Sequence, residues 1–173
     1  ITTEELIEQE MRRLRDKYNE DVVLTAMVDG VPICVEKVKS ENYLQIQSKV
    51  GRVSSLIKGS TGKTLFAWQS EQFIQDTLGK NFSNTEEGLL ERKITEEQLK
   101  TIRKHGYCIS VSEQDKGVAS IAVPILDDKG IAVYSLAVIG EENRMKQKGL
   151  PEICQELMKT AQNLSKERHY IKN

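Results

Sequence analysis

Apolar and polar positions change their period several times along this chain. Ile7, Met11, Leu14 and Tyr18 fall at i, i+4, i+7 and i+11, the spacing of one helical face, and Thr2 with Glu5 has the form of a capping box. This pattern predicts an amphipathic opening helix of about four turns. Residues 22–28 and 31–38 are β-rich and are joined by Asp29-Gly30, a pair that tolerates the two positive φ angles of a type I′ turn, so a hairpin is expected. Tyr43-Leu44-Gln45-Ile46-Gln47 alternates like a half-buried strand, and residues 53–57 form a weaker strand candidate ending near Gly59.

The middle of the chain turns helical. Residues 60–68 are one candidate and residues 70–78, stopped by Gly79, a second, followed by a polar connection over 80–93. Thr95 with Gln98 repeats the capping-box form and leads through Leu99 and Ile102 to a stop at Gly106. Three strands are expected next, over 107–112, 118–126 and 131–139, the last two joined by Asp127-Asp128-Lys129-Gly130. A final helix runs over 151–168, with Pro151 in its first turn and Ile153, Leu157, Ala161 and Leu164 on one face. Without regular βαβ alternation, the order predicts an α+β fold: an antiparallel sheet with helices packed on it.

Length and charge narrow the function. The 173 residues are enough for one domain with a real core. Lys and Arg total 25 against 26 Asp and Glu, a net charge of −1, which gives no general attraction to a polyanion. The cluster Arg12, Arg13, Arg15 and Lys17 is interleaved with Glu8, Glu10 and Asp16 and reads as a solvated helix face. Cys34, Cys108 and Cys154 are odd in number and widely spaced, against a disulfide framework or a zinc site and in keeping with a reducing cytoplasm. No apolar run is long enough to span a membrane. The chain opens at Ile1 directly in a helical sequence, as a piece of something longer would.

Few residues offer chemistry. Gly59-Ser60-Thr61-Gly62-Lys63-Thr64 ends like a phosphate-binding loop, but that loop needs a glycine where this chain has Ile57. A glycine-rich entry to a helix still leaves N–H donors unpaired and points the positive dipole end outward, the makings of a carboxylate or phosphate seat. The competing reading is that Gly59 and Gly62 only permit a tight turn and close packing. His105 lies where a helix ends and suits capping better than catalysis, Cys108 reads as a buried thiol, Glu113 as a loop carboxylate and Trp68 as core. No acid, base and nucleophile come together, so no catalytic, metal or cofactor site is expected.

The residues then line up with a known family. Thr25-Ala26-Met27-Val28-Asp29-Gly30, Val35-Glu36-Lys37-Val38 and Gly62-Lys63 opening Leu65-Phe66-Ala67 resemble the first half of the effector-binding domain of IclR-type bacterial transcription regulators. Ile102-Arg103-Lys104-His105-Gly106-Tyr107, Glu113, Gly117-Val118, Ile121-Ala122-Val123-Pro124-Ile125, Gly130 and Gly140 resemble its second half. The resemblance implies a GAF-like curved antiparallel sheet flanked by helices, with residues 1–19 as a linker helix and 20–173 as the effector-binding domain. A winged helix-turn-helix DNA-binding domain would precede it. It further implies a cytoplasmic, non-enzymatic sensor of a small metabolite in a homodimer or homotetramer, reaching DNA only through the missing N-terminal part.

Carried over by position, the effector site would include Gly59 and take backbone donors from Ser60 and Thr61 in the same turn and side chains from Ser110, Ser120, Ala137 and Ile139. Members that bind small keto acids are polar at the last two positions. Ala137 and Ile139 therefore suggest an apolar floor and an organic acid of aromatic or branched type. The alternatives are a thiol enzyme on the same fold using Cys34 or Cys108, and a module that only holds subunits together.

Overall fold

The computed structural model describes residues 1–42 and 49–172. Helix α1 (Thr3–Tyr18) leads into the hairpin β1 (Asp21–Val28) and β2 (Val31–Val38). Three helices follow, α2 (Ser60–Ala67), α3 (Glu71–Asn81) and α4 (Glu86–His105), then strands β3 (Cys108–Val111), β4 (Val118–Leu126) and β5 (Ala132–Glu141), and finally α5 (Glu142–Lys148) and α6 (Leu150–Lys172). The five strands form one antiparallel sheet in the order β2-β1-β5-β4-β3. This is the α+β architecture that the order of elements predicts.

Strand alternation sends successive side chains to opposite faces of this sheet. One face gives Val22, Leu24, Ile121, Val123, Leu136 and Val138 to the main core, where α1 and α6 cover them with Ile7, Met11, Leu14, Ile153 and Leu157. The other face carries Val23, Cys34, Ala122, Ala137 and Ile139, and α2 lies over it. Leu65, Phe66 and Trp68 of the α2 segment join Ile74, Leu78, Leu99 and Ile102 of α3 and α4 in a second apolar cluster. The sheet is thus the middle of three layers.

Most predicted elements are present, and several boundaries differ for identifiable reasons. The capping box at Thr2 and Glu5 forms, and Asp29 and Gly30 both take positive φ at the β1–β2 turn. The strand expected over 43–47 lies outside the described residues, and among the described residues 53–57 supply a single bridge, Ile33 to Val53. Helix α3 runs through Gly79 to Asn81, because an interior glycine lowers helix propensity without ending the hydrogen-bond ladder; Phe82 N–H still reaches Leu78 O. Helix α4 starts at the Thr85 cap, ten residues ahead of the capping box read at Thr95. Thr95 is instead buried inside the helix, its hydroxyl donating to Glu91 O at 3.0 Å. The short helix α5 was not foreseen. Glu141 starts it by accepting the N–H groups of Asn143 and Arg144, a cap hidden at the end of an apolar strand.

Candidate functional site

The second face of the sheet holds a short polar row. Ser110 of β3 pairs in register with Ser120 of β4, which pairs with Ile139 of β5, so these three side chains stand side by side across three strands. Two residues before Ile139 on β5, and so on the same face, Ala137 lies opposite Ala122.

The N-terminus of α2 points over this row. Gly59 has φ 81°, and a Cβ there would meet Gln114 Oε1 at 2.7 Å, so this turn accepts little but glycine. A Cβ on Gly62 would run into the backbone carbonyl of Ser55, which makes its bare Cα the point where α2 touches residues 55–56. Both glycines therefore do the packing work, while the turn they permit also leaves the first N–H groups of α2, Ser60 to Gly62, without an acceptor inside the helix. Ser60 Oγ lies 2.6 Å from Ser120 Oγ, tying the helix to the polar row, and Thr61 Oγ1 donates to Ser54 Oγ at 3.3 Å.

Together these elements enclose a cavity of about 50 Å³. Of the residues singled out from sequence, Gly59, Ser60, Thr61, Ser110, Ser120 and Ile139 line it, while Ala137 is fully buried in the apolar cluster and does not. Six hydroxyl-bearing residues line the space, Thr25, Ser54, Ser60, Thr61, Ser110 and Ser120, together with the apolar side chains of Val23, Val118 and Ile139. Ile139 supplies part of the apolar lining read from sequence, and hydroxyls share the wall with it. Val23 and Thr25 follow from the alternation of β1, which identifies them as one face once the sheet order is known. Arg52 and Asp115 carried no signal. They are 63 residues apart and meet in a two-pronged ion pair, both contacts 3.0 Å, at the rim of the cavity.

The loop between β3 and β4 closes the remaining side. Gln114 and Asp115 face the cavity, while Glu113 turns the other way to accept two contacts from Lys63, at 2.9 and 2.8 Å, and one from Gly59 N–H at 3.3 Å. Partial burial pushes the Glu113 carboxyl up, but the hydrogen bonds and charge of Lys63 outweigh it and hold the group below its usual value. Lys63 is 4% exposed and committed to Glu113, so it does not serve as the lysine of a phosphate loop.

The remaining candidates take structural roles. His105 ends α4 and stacks on Tyr107 at 5.6 Å. Trp68 is core. Burial pushes the Cys108 thiol up to about 11, with Cys34 and Cys154 also raised, the opposite of what a nucleophilic thiol requires. Among the described residues, no group of three or more His, Cys, Asp or Glu is placed to hold a metal, and no helix is long and apolar enough to cross a membrane.

Comparison with known proteins places this arrangement. The chain is 28% identical over 165 residues to the HTH-type transcriptional regulator KdgR of Dickeya chrysanthemi, covering 93% of this chain and 53% of that protein. It is 27% identical over 167 residues to KdgR of Escherichia coli, covering 93% and 62%. The chain thus spans little more than half the length of these relatives. Among solved structures it superposes on the Thermotoga maritima IclR with a TM-score of 0.85 at 20% identity, covering 97% of this chain and 69% of that one. Pseudomonas aeruginosa HmgR gives 0.80 at 19% identity, covering 97% and 67%. These structures share the fold. Residues 3–166 match the family described as bacterial transcriptional regulator IclR C-terminal, and the chain belongs to that family of regulators.

Proposed function

We propose that this chain is the effector-sensing part of a cytoplasmic transcription regulator, and that it binds a small hydrophilic organic acid in the cavity beneath the N-terminus of α2. The observation that carries this reading is that the first helix N–H groups at Ser60 and Thr61, which have no acceptor within the helix, lie beside the hydroxyl row of Ser110 and Ser120. The helix end favours a carboxylate. The hydroxyls offer partners to the polar groups of the same molecule, which favours a hydroxy or keto acid over the aromatic acid that Ala137 and Ile139 suggest from sequence. Residues 1–19 would form the link to an N-terminal DNA-binding domain, and the bound acid would bias the regulator between arrangements that hold and release its operator. The raised thiols disfavour an enzyme that works through cysteine.

A thermal-shift screen of short keto, hydroxy and aromatic acids tests this, since a ligand at 100 times its Kd adds about 2.7 kcal/mol, or about 5–10 °C for a chain of this size. The Ser60→Ala and Ser60→Pro pair then locates the contact. Both remove the hydroxyl, but only proline removes the N–H, at a first-turn position where its φ is tolerated. Ser60→Pro is expected to weaken binding by about tenfold or more beyond Ser60→Ala, the value of one charge-assisted hydrogen bond. Equal losses would assign the contact to the hydroxyl, and no shift with any acid would contradict the reading.

A further inference from the structure

The cavity beneath α2 is closed down in this structure. At about 50 Å³ it has room for a few water molecules, whereas sites that enclose small organic molecules run to about 300–1,000 Å³, so a wall has to move when an acid enters. The sheet forms one wall and α2, whose eight residues are all buried, another. The remaining wall is the β3–β4 loop. Its neck is closed by Ser112 N–H donating to Val118 O and Gly117 N–H to Ser112 Oγ, both at 2.9 Å, so the residues between move as one unit. Glu113 moors the start of this unit to Lys63, and Asp115 moors its far end to Arg52 across the mouth of the cavity.

The two partners of that ion pair stand on different ground. The backbone at Arg52 is bonded to β2, Cys34 N–H donating to Arg52 O and Ser54 N–H to Pro32 O, both at 2.9 Å, with the Ile33–Val53 bridge between them. Arg52 is thus fixed at the rim by the sheet, while Asp115 rides on the loop. The Asp115 side chain is 37% exposed and that of Arg52 31%, so the pair is weak and a released Asp115 rehydrates readily. Its two-pronged geometry is the one a guanidinium makes with any carboxylate. Arg52 and Asp115 are also the charged side chains among the described residues that line the cavity, and they cancel. A carboxylate that replaces Asp115 keeps this balance; one added beside the intact pair brings an uncompensated charge. We infer that Asp115 holds, in the closed cavity, the seat of a second carboxylate: a dicarboxylic hydroxy or keto acid displaces Asp115 from Arg52, and the β3–β4 loop swings out to admit it. This rests on the reading of the cavity as an acid site. One carboxylate meets the N–H groups opening α2, the other takes the fork of Arg52, and the hydroxyl row is left for the hydroxy or keto oxygen.

Calorimetric titration with two pairs of acids that differ by one carboxylate, malate against lactate and 2-oxoglutarate against 2-oxobutyrate, tests the second seat. In the wild type the dicarboxylate of at least one pair is expected to bind about tenfold or more tighter than its partner, the value of one charge-assisted contact. Arg52→Gln should reduce that preference to about twofold or less. Asp115→Asn should raise the dicarboxylate's affinity by about threefold or more, because the seat loses its rival, and a poorly folded variant does not bind more tightly. Equal affinities within both pairs, or a preference that survives Arg52→Gln, would overturn the second seat and leave the acid site in place. So would an equal loss for both members of a pair in Arg52→Gln, which gives Arg52 the single carboxylate, or weaker dicarboxylate binding in Asp115→Asn, which makes Asp115 part of the wall. A preference that depends on Arg52 but not on Ser60→Pro keeps the second seat and removes the helix seat, and no binding of any of the four acids overturns both.

Discussion

Two hydroxyls on the cavity side of the sheet are buried without a partner among the described residues, Thr64 Oγ1 on α2 and Ser135 Oγ on β5. A buried hydroxyl that makes no hydrogen bond costs about 1–3 kcal/mol of desolvation with nothing in return. Thr64→Val keeps the shape and removes the cost, so it should stabilise the chain by about 1 kcal/mol, read as a melting temperature raised by about 2–4 °C. The Glu113–Lys63 pair behaves in the opposite way. Glu113 has a folded pKa below its usual 4.5, so its contribution is present above that value and fades as pH falls through the lowered folded one. Glu113→Gln should therefore cost about 1–2 kcal/mol at neutral pH, discounted because the carboxylate is partly exposed, and the difference from wild type should vanish in acid. A cost that stayed constant down to low pH would show that the charge is irrelevant.

Among the elements, α1 is held at both ends. Its apolar face sinks into the main core, and its C-terminal end is fastened by Glu20, which is fully buried and accepts from Arg144 at 2.6 Å and Lys148 at 2.7 Å. Lys148 also donates to the carbonyl of Tyr18 at the end of α1. Glu20→Gln removes the charge that three donor groups on α5 face, and should cost about 3 kcal/mol in urea unfolding. A loss under 1 kcal/mol would mean the cluster is solvated and weak. The α1 face was legible because its repeat and capping box coincide, and so was the hairpin, where two β-rich runs flank a turn with two positive φ angles. Helix α5 was not legible, because its cap, Glu141, ends an apolar strand and its seven residues bury only Met145. The start of α4 was misread because Thr95-x-x-Gln98 satisfies the capping pattern within a helix that had already begun at Thr85.

At the scale of the whole molecule, the three layers place the cavity where α2 meets the sheet, and position along the chain reveals only part of its wall. The glycine-rich turn was visible in sequence because it carries its own local signal, whereas Ser110 and Ser120 entered only through the family resemblance. Arg52, Ser54 and Asp115 come from loops whose meeting depends on the order of five strands, and Ala137 drops out because it stands one pair deeper on the same face. If the N–H groups opening α2 hold an acid against the hydroxyl row, the bound acid shields them from exchange with solvent. Amide hydrogen exchange is therefore followed residue by residue with and without the acid that gives the largest thermal shift. Slowed exchange is expected at Ser60, Thr61 and Gly62 together with the β3–β4 loop; unchanged exchange at the start of α2, whatever happens elsewhere, would rule this binding mode out.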